Sequence, residues 1–589
     1  MEKTVTRLFD LLARAEARYS WKKTFIAGKG NGTWQGYSVG EYIEMSNAIS
    51  YGLIHLGVKP GEKIATISNN RPEWNFLDMA IMQIGAIHIP IYATLSQDDY
   101  KYILNHAEVT YLFVSNQELF KKMDLIREDI STIKDIYSIE KNGSAPCLED
   151  LVEKGKVTPQ EKTLTKSKEA INTKDVATII YTSGTTGKPK GVMLTHSNII
   201  SNFVEASKIP PIGAEGKALS YLPLCHIYER MLNYVYQYLG ISIYYAESIA
   251  AISDNMKEVQ PHIMTTVPRL LEKIYDRIIA KGRSLKGLKK QIFFWAIHLG
   301  HRYDLKRNNL FYNIQLRIAS KLIFSKWREA VGNHIKVMVS GGAALQPRLS
   351  RIFWAAGIPV LEGYGLTESS PVIAVNCFHD NGTHFGTVGP VLKGTEVKIA
   401  NDGEILAKGP NVMAGYYKDE ALTKKVINEE GWLHTGDMGE FVENRFLRIT
   451  GRKKEQFKTS FGKYIAPTLI ENKLKESPFI DNALVCGENQ KFAAALIVPN
   501  FIHIRNWCAI KEIHYSTDNE MIQNPIVVNR ILREVHEKNK SLGATEQVKK
   551  IELIDHEWSQ ESGELTPKLS LKRDVVMQKY QVLIERLFA

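Results

Sequence analysis

Short apolar runs alternate with longer amphipathic stretches through residues 1–400 of the chain. Four such runs are KIATISN near residue 63, TYLFVSN near 110, VATIIYT near 176 and IKVMVSGG near 335. Apolar runs of this length are typical of buried strands, and the stretches between them have helical periodicity. The alternation predicts an α/β fold in which helices flank parallel-rich sheets.

The pattern changes near residue 450. The segment GRKKEQFKTSFGKYIAP is polar and charged, and the short runs NALVCG and FAAALIVPN follow it before a helix-rich end. A chain of 589 residues is long enough for two or more domains. We therefore expect a large N-terminal domain over residues 1–453 and a small α+β domain over residues 454–589.

The N-terminal segment MEKTVTRLFDLLARAEARY has one apolar helical face and carries charges throughout. It lacks the apolar core of a signal peptide, and we expect none. The most apolar stretch, AIMQIGAIHIPIYATL from Ala80, is interrupted by polar residues and is too short for a membrane span. These features favour a cytoplasmic protein.

Composition and charge narrow the class of protein only a little. Hydrophobic residues make up 44% of the chain and charged residues 24%, as in ordinary globular proteins. The five cysteines form no CxxC pair, which favours a reducing compartment and argues against a disulfide framework or a zinc site. The net charge of +11 fits either an anionic partner or simply a solvated basic surface.

The segment over residues 269–328 is strongly basic, with 15 Lys and Arg against three acids. Within it Leu288, Ile292, Trp295 and Leu299 recur at helical spacing. Two interpretations stay open. A basic amphipathic helix with aromatic residues can lie on an anionic membrane. Alternatively, the apolar residues pack inward and the lysines are merely solvated.

The stretch YTSGTTGKPKG, residues 181–191, directly follows a predicted strand. Its glycines let backbone N–H groups converge on an anion, its hydroxyls can donate to phosphate oxygens, and Lys188 and Lys190 add positive charge. These properties suit a polyphosphate. The Walker A spacing is absent, because Gly184 and Gly187 are three apart and a proline follows the lysine. This excludes a P-loop kinase or ATPase.

Five further motifs follow this loop in order. They are LPLCHIYER at 222–230, SGGAAL at 340–345, EGYGLTE at 362–368, GWLHTGD at 431–437 and GRKKEQFK at 451–458. Together with the loop they resemble the adenylate-forming superfamily of acyl-CoA synthetases, firefly-type luciferases and peptide-synthetase adenylation domains. The resemblance covers essentially the whole chain. It implies a β-barrel-like subdomain in the large domain and a mobile small domain that turns on a hinge at Lys454.

The resemblance also implies a two-step reaction. A carboxylate and ATP give acyl-AMP and pyrophosphate, and a thiol then displaces AMP. ATP, Mg²⁺ and CoA as co-substrate are therefore expected. Glu368 and Thr185 would bind the metal, since Mg²⁺ usually takes one or two carboxylates plus phosphate oxygens. His226 would lie near the acyl-phosphate.

Roles around the nucleotide follow from the same resemblance. Tyr364 would stack on adenine, with Gly342 and Ala343 as the other wall of the pocket. Asp437 would accept both ribose hydroxyls, which suits a two-oxygen acceptor, and Thr367 would touch the α-phosphate. The expected ATP- and AMP-binding residues are Thr182, Ser183, Gly184, Thr185, Thr186, Gly187, Lys188, Gly342, Ala343, Glu362, Gly363, Tyr364, Gly365, Thr367, Asp437, Arg452, Lys454 and Lys458.

The chain departs from the family pattern near its C-terminus. Members usually carry a catalytic lysine there, and the related stretch here is GELTPKLSLKR, residues 563–573, with Ser570 at the usual position. In an extended loop the flanking Lys568 and Lys572 share a face with Ser570, so either lysine could substitute. Lys568 is slightly favoured. A weak adenylation step is the alternative.

Three features resemble long-chain fatty acyl-CoA synthetases: HIYER after LPLC, the basic segment after VPRLLEKIYDR, and the ending ELTPKLSLKR. They imply a long-chain fatty acid–CoA ligase. Three alternatives stay open, namely a fatty acyl-AMP ligase that loads a carrier protein, a CoA ligase for another carboxylic acid, and a catalytically weakened lipid- or nucleotide-binding protein. The expected partners are a fatty acid and CoA, with peripheral contact to the inner membrane surface left open, and no nucleic acid.

Overall fold

The computed structural model describes residues 4–30, 32–141, 143, 145–182, 188–306, 308–566 and 571–589. These residues form two large mixed sheets, a four-stranded antiparallel sheet and two small C-terminal sheets, with helices packed around them. The prediction of an α/β fold is confirmed.

The strands of the described residues follow in chain order. They are β1 Ile26–Gly30, β2 Thr33–Tyr37, β3 Lys63–Ile67, β4 Ile87–Ile91, β5 Val109–Val114, β6 Asp135–Ser138, β7 Val176–Thr182, β8 Lys190–Thr195, β9 Lys217–Ser220, β10 Ser242–Tyr245, β11 Ile263–Thr266, β12 Val337–Ser340, β13 Val360–Gly365, β14 Val372–Val375, β15 Glu396–Ile399, β16 Glu404–Lys408, β17 Gly415–Tyr416, β18 Leu433–Val442, β19 Phe446–Arg452, β20 Phe457–Lys458, β21 Tyr464–Ile465, β22 Ile480–Cys486, β23 Ala493–Pro499 and β24 Val548–Leu553. The four apolar runs predicted to be strands are confirmed as β3, β5, β7 and β12.

The α-helices alternate with the strands through the large domain and dominate the C-terminal end. They are α1 Asp10–Tyr19, α2 Val39–His55, α3 Pro72–Gln83, α4 Gln97–His106, α5 Gln117–Asp124, α6 Leu148–Val157, α7 Glu161–Ala170, α8 His196–Ala206, α9 Ile227–Leu239, α10 Ile252–Val259, α11 Pro268–Arg283, α12 Gly287–His301, α13 Leu310–Ala319, α14 Ser325–Ala330, α15 Pro347–Ala355, α16 Glu420–Val426, α17 Pro467–Leu474, α18 Phe501–Ile510, α19 Asp518–Gln523, α20 Pro525–Asn539, α21 Arg573–Lys579 and α22 Gln581–Phe588.

The first large sheet has the strand order β17-β8-β7-β4-β3-β5-β6. Strands β3 to β7 run parallel to one another. At one edge of the sheet, β8 runs antiparallel to both of its neighbours, β7 and β17. The central strands are buried along almost their whole length, as expected for a parallel sheet covered on both faces. This arrangement places Thr182, at the end of β7, beside the antiparallel edge.

The second large sheet has the order β14-β13-β12-β11-β9-β10-β1-β2. Helix α9 ties it to the first sheet through the fully buried Arg230, whose guanidinium bonds Asp78 of α3 and, over 2.8 Å, Thr178 Oγ1 of β7. His88 Nδ1 contacts the same Asp78 carboxylate at 2.7 Å. A buried charge is tolerated only when it is paired and hydrogen-bonded, so this network fixes the two sheets against each other.

Strands β15, β16, β18 and β19 form an open antiparallel sheet in that order. This sheet confirms the expected β-barrel-like subdomain. Its last strand leads directly into the C-terminal part of the chain.

The residues from Phe457 onward build a hydrophobic core of their own from β20 to β24 and α17 to α22. The two runs NALVCG and FAAALIVPN are confirmed as β22 and β23. This α+β unit contacts the large domain through Asp481 of β22, whose carboxylate accepts from Arg269 of α11 at 2.6 and 2.7 Å.

The basic segment folds as helices α11 to α14, with a π-helical turn at Ser320–Phe324. Of the predicted apolar stripe on α12, Leu299 is buried, Ile292 and Trp295 are partly buried, and Leu288 is exposed. The inward-packing interpretation therefore holds for most of α12. No helix in the described ranges is long and apolar enough to cross a membrane.

Candidate active site

A hydrogen bond between Tyr416 and Glu368 joins the edges of the two large sheets. Glu368 lies in the short 3-10 helix Thr367–Ser369, just after β13, and Tyr416 lies in β17. The Tyr416 hydroxyl donates to Glu368 Oε1 over 2.7 Å, and the Met413 N–H donates to the Glu368 carbonyl at 2.8 Å. The half-buried carboxylate keeps further lone pairs for a ligand.

The phosphate-loop motif begins and ends beside this carboxylate. Thr182 pairs in register with Lys190 across β7 and β8, and Lys190 Nζ lies 5.7 Å from the ring centroid of Tyr416. Lys188 turns to α4, where its Nζ lies 5.7 Å from the ring centroid of Tyr102. The predicted phosphate-binding residues Ser183, Gly184, Thr185, Thr186 and Gly187 lie outside the described residues.

A second cluster forms around Asp437, a buried residue on β18. The Tyr364 hydroxyl donates to its Oδ2 over 2.8 Å, and Arg452 Nε lies 2.9 Å from its Oδ1. Burial raises the pKa of Asp437, while the positive charge of Arg452 acts in the opposite direction. Because each carboxylate oxygen has two lone pairs, Asp437 can still accept one bond at each oxygen.

The SGGAAL motif follows β12 and is held by α9. The Tyr228 hydroxyl donates to the Val339 carbonyl over 2.9 Å, and a Cβ on Gly341 would lie 3.0 Å from the Tyr228 ring. The predicted Gly342 and Ala343 come next and are exposed. Gly342 has a φ of +81° and open space where a Cβ would stand, so this turn can approach a flat ligand closely.

The two glycines of EGYGLTE differ in whether the fold leaves space for a side chain. A Cβ on Gly365 would lie 1.7 Å from the Pro371 carbonyl oxygen, so only glycine fits there. A Cβ on Gly363 would make an ordinary 3.5 Å contact. Thr367 is buried at the start of the 3-10 helix. The fold therefore requires glycine only on the C-terminal side of Tyr364, at Gly365.

Glu362 was expected among the nucleotide-binding residues. Its carboxylate is buried and accepts a 2.8 Å hydrogen bond from Ser350 Oγ of α15. Burial raises its pKa to about 7. This contact links β13 to α15, and the nucleotide-binding role of Glu362 stays a prediction.

His226 caps the N-terminus of α9. Its Nδ1 accepts from the Tyr228 N–H at 3.0 Å, so the neutral ring carries its hydrogen on Nε2. The LPLC segment before it is anchored by Asn70, whose Oδ1 accepts from the Leu224 N–H at 3.0 Å. Since Tyr228 also contacts the SGGAAL turn, His226 belongs to the same neighbourhood as that motif.

Three of the predicted lysines of the C-terminal part lie on its surface. Lys454 and Lys458 are exposed, and Lys458 Nζ lies 5.4 Å from the Tyr464 ring centroid. Lys572 is exposed before α21, and its N–H donates to the Glu564 carbonyl at 2.7 Å. Within the described parts of the chain, the Lys572 side chain forms no hydrogen bond or ion pair with the Asp437 or Glu368 clusters.

Two residues of the same loop, Lys568 and Ser570, lie outside the described residues. A lysine that was not predicted fixes the end of β19 instead. Lys453 Nζ lies 2.7 Å from Asp402 Oδ2 and 2.8 Å from Glu404 Oε2. The connection to the C-terminal part therefore starts from a point anchored on the four-stranded sheet.

Sequence reasoning also missed Tyr416, the partner of Glu368. The residue lies in MAGYYKD, which matches none of the motifs and carries no chemical signal by itself. Ser350 was missed for the same reason. Both act through contacts that only the folded chain creates.

The carboxylate oxygens of Glu368 fit the binding of a magnesium ion that arrives together with its nucleotide. The described residues contain no group of three or more His, Cys, Asp and Glu side chains that could hold a metal ion. Mg²⁺ commonly takes one or two protein carboxylates and completes its shell with phosphate oxygens and water. Glu368 supplies such a carboxylate beside the ends of the phosphate loop.

Comparison with known proteins decides the family. The model of the AMP-binding enzymes matches residues 12–417, and the model of their C-terminal domain matches residues 454–589. The chain belongs to the AMP-binding enzyme family. The two matched ranges together cover most of the chain.

Relatives of this AMP-binding enzyme match over almost the whole chain. Long-chain-fatty-acid–CoA ligase FadD15 of Mycobacterium bovis is 32% identical over 95% of this chain and 93% of its own length. Fatty acyl-CoA synthetase A of Dictyostelium discoideum is 30% identical over 100% of this chain and 91% of its own length. Among solved structures, the anthranilate CoA ligase AuaEII in complex with anthranoyl-AMP covers 98% of both chains with a TM-score of 0.74 at 18% identity.

Proposed function

We propose that this AMP-binding enzyme is a long-chain fatty acid–CoA ligase, which forms acyl-AMP and pyrophosphate from a fatty acid and ATP and then acyl-CoA and AMP. The similarity over about the full length to relatives of that name supports the substrate class. The carboxylate of Glu368 beside the ends of the phosphate loop is the observation that carries the proposal. The five cysteines form no disulfide, which supports a reducing, cytoplasmic location.

In this proposal Asp437 accepts the ribose hydroxyls at the lone pairs that Tyr364 and Arg452 leave open. The guanidinium of Arg452, 2.9 Å away, opposes the rise in the pKa of Asp437 that burial causes. Tyr364 lies against adenine opposite the turn at Gly342 and Ala343. Holding the nucleotide rigidly converts a bimolecular encounter into an oriented reaction.

The phosphates would lie between Glu368 and the two described ends of the phosphate loop, Thr182 and Lys188. Mg²⁺, bound by Glu368 and Thr185, would supply charge screening for the triphosphate. Lys188 and Lys190 add fixed positive charge, and Thr367 contacts the α-phosphate. The attacking carboxylate is thereby brought to the α-phosphorus with its charge compensated.

His226 and one C-terminal lysine act on the acyl side. The Nε2–H of His226 can donate to the oxygen that develops charge when the acyl-phosphate forms or breaks. Lys568 or Lys572 reaches the carboxylate of the fatty acid when the small domain, residues 454–589, turns about the hinge at Lys454. The thiol of CoA then displaces AMP in the other orientation.

AMP formation from ATP and palmitate, measured with and without CoA, tests the proposal. Steady turnover that requires CoA is expected. Replacing the working lysine by alanine should slow adenylation at least about a hundredfold, in line with the loss of one electrostatic contact to the reacting group. Lys568→Ala and Lys572→Ala are compared with Lys549→Ala, an exposed lysine of β24 in the same domain.

Equal turnover without CoA would contradict the ligase assignment. A single burst of bound acyl-AMP that CoA does not discharge would point to a carrier protein as acceptor. A panel of acids of increasing chain length separates a long-chain enzyme from a CoA ligase for another carboxylic acid.

A further inference from the structure

Strand β18 bulges away from its neighbour β16 at the turn that carries Asp437. Glu404 of β16 stands opposite Met438. Two residues further along β16, Leu406 stands opposite His434, which is four residues back along β18. Bulges of this kind re-aim side chains and are frequent beside active sites. They also leave backbone N–H groups without a partner in the sheet, and such a group needs another acceptor once it is withdrawn from water.

The carboxylate of Glu404 supplies that acceptor. Its Oε1 accepts from the Gly436 N–H at 2.9 Å, one residue before Asp437. Its Oε2 lies 3.2 Å from His434 Nδ1. Glu404 is only 4% exposed. It therefore acts on a bound ligand through the turn that it holds and not by direct contact.

The same carboxylate also holds the residue that precedes the proposed hinge. Lys453 Nζ lies 2.8 Å from Glu404 Oε2, and the Lys453 N–H donates to the Gly436 carbonyl at 2.9 Å. The ammonium has a second partner in the exposed Asp402, at 2.7 Å. Lys453 is thus tied to the turn twice, by its backbone directly and by its side chain through Glu404. The next residue is Lys454.

The donors around Glu404 keep its carboxylate charged. Burial alone would raise the pKa of Glu404, but the hydrogen bonds that it accepts, with the bond from Lys453 as the largest contribution, lower the pKa below its usual value. Glu362 is equally buried and accepts from the neutral Ser350, and its pKa is raised to about 7. The bonds to Glu404 are therefore charge-assisted, which makes them stronger than bonds between neutral groups.

We propose that Glu404 is a positioning residue that joins the nucleotide-holding turn to the base of the hinge. Its carboxylate keeps Lys453 on the large domain, so that turning of the small domain begins at Lys454. The same carboxylate holds the Gly436 N–H and thereby sets the direction in which Asp437 leaves the strand. The inference rests on the proposed function, because Asp437 and Lys454 have their roles there.

Two properties should therefore change together when Glu404 is replaced. Nucleotide binding weakens, because the turn before Asp437 loses its acceptor. Turnover slows, because the residue before the hinge is no longer held in place. Replacing Lys453 should affect turnover alone, since the Gly436 N–H then keeps its bond to Glu404.

Isothermal titration with AMP, without fatty acid or CoA, measures the effect on the turn. Glu404→Gln keeps the shape of the side chain but leaves only one of its two oxygens as an acceptor. It should raise the Kd for AMP about tenfold, whereas Lys453→Met should change this Kd less than about twofold. Asp402→Asn is the matched control, because its Oδ1 can still accept from the Glu404 N–H and Lys453 keeps its bond to Glu404.

Turnover at saturating ATP, palmitate and CoA measures the effect on the hinge. Glu404→Gln and Lys453→Met should each lower kcat about fivefold, and only Glu404→Gln should also raise the KM for ATP. The double variant should be no slower than Glu404→Gln alone, since both changes remove the same bond. Active sites are counted from the burst of acyl-AMP, so that misfolded protein does not enter kcat.

The same Kd for AMP in Glu404→Gln and in the wild type would overturn the proposal, and so would a kcat per active site that neither variant changes. A lower melting temperature of Glu404→Gln with unchanged Kd and kcat would show that the carboxylate only stabilises the sheet. A wild type that binds no AMP would contradict the proposed function and this inference with it. Binding by the wild type and Glu404→Gln alike would contradict this inference alone.

Discussion

The position of the Glu368 carboxylate depends on a tyrosine 48 residues further along the chain. A hydrogen bond to a charged group contributes about 1.5–3 kcal/mol. The bond also orients the carboxylate, which leaves its remaining lone pairs for a cation. At the scale of single residues, the candidate site is therefore a set of oriented carboxylates, each with a neutral or cationic donor.

Replacing Tyr416 with phenylalanine should raise the KM for ATP in the presence of Mg²⁺ about tenfold, because Glu368 loses its orienting donor. The matched control is Tyr417→Phe, since the Tyr417 hydroxyl donates to Glu108 on the surface at 3.2 Å. Initial rates over a range of ATP concentrations measure the change. Equal KM values for the two variants would contradict the role of Tyr416.

Glu362 makes the stability of the fold depend on pH. Burial raises its pKa from an ordinary 4.5 to about 7, so the folded state holds more protons than the unfolded state between these values. The contribution of Glu362 to the stability of the fold is fully present below about pH 4.5 and is lost as pH rises through about 7. The free energy of unfolding of the wild type minus that of Glu362→Gln should fall by roughly 1.4 kcal/mol per pH unit in this window.

The difference between the two proteins isolates Glu362, because other groups titrate nearby. Burial lowers the pKa of His196, His301 and His503 to about 4. These three histidines therefore make the free energy of unfolding rise with pH, opposite to the effect of Glu362. Glu229 has a pKa raised to about 7 by burial and acts in the same direction as Glu362. Urea denaturation from about pH 5 to about pH 8 measures the difference, with the exposed Glu153→Gln as control. A pH-independent difference would show that Glu362 is ionised throughout.

Two glycines set the distance between helices α2 and α6. A Cβ on Gly155 of α6 would lie 1.9 Å from the Ala48 carbonyl oxygen of α2, and one on Gly52 of α2 would lie 2.6 Å from Leu151. The helix backbones thus approach each other more closely than any larger residue permits. Helix α2 begins at Ser38, where a capping box with Glu41 fixes its first turn.

Gly155→Ala should destabilise the large domain by roughly 1–3 kcal/mol, because the methyl group forces the two helices apart. Gly213→Ala is the control, since nothing lies within 4 Å of the Cβ there and its φ is ordinary. Thermal unfolding of both variants measures the effect. A melting temperature of Gly155→Ala as high as that of the control would show that α6 shifts without cost.

The two parts of the molecule meet along α11 and the start of α15. Arg269 binds Asp481, Arg283 contacts His503, and Gln346 Nε2 donates to the Lys475 carbonyl at 3.4 Å. The side chains of Arg269 and Asp481 are only 21% and 17% exposed. The ion pair between them is therefore largely shielded from solvent.

Asp481→Asn should loosen the contact by roughly 1–3 kcal/mol, between the values for exposed and buried ion pairs. Trypsin should then cleave the lysine- and arginine-rich segment 452–458 about tenfold faster, because undocking frees the backbone of this exposed segment to enter the protease. The exchanged pair Arg269→Asp with Asp481→Arg should restore part of the resistance. The same cleavage rate in all variants would show that the pair does not hold the C-terminal part in place.

Local sequence patterns were sufficient to predict many of the strands and several residues of the candidate site. The parallel strands β3, β5, β7 and β12 are apolar runs because both sheet faces are covered, and such runs can be recognised without a partner. The predicted motif residues Tyr364, Asp437 and Arg452 do come together in the fold. The nucleotide roles of these residues stay predictions.

Contacts between distant segments could not be predicted. Nothing in MAGYYKD indicates that Tyr416 meets Glu368, and nothing in the helical spacing of α12 and α13 tells which face is buried. The periodicity shows that a face is apolar, whereas the neighbouring core decides whether that face is covered.

The sequence by itself determined the classes of element, the order of the motifs and the chemistry that their residue types permit. These follow from local periodicity and side-chain type. Only the tertiary structure decided that Glu362 is a buried carboxyl held by Ser350, that Asp481 docks on Arg269, and that most of the apolar side of α12 packs inward. The physical reason is that burial, and with it pKa and exposure, depends on residues that are remote in the chain and adjacent only after folding.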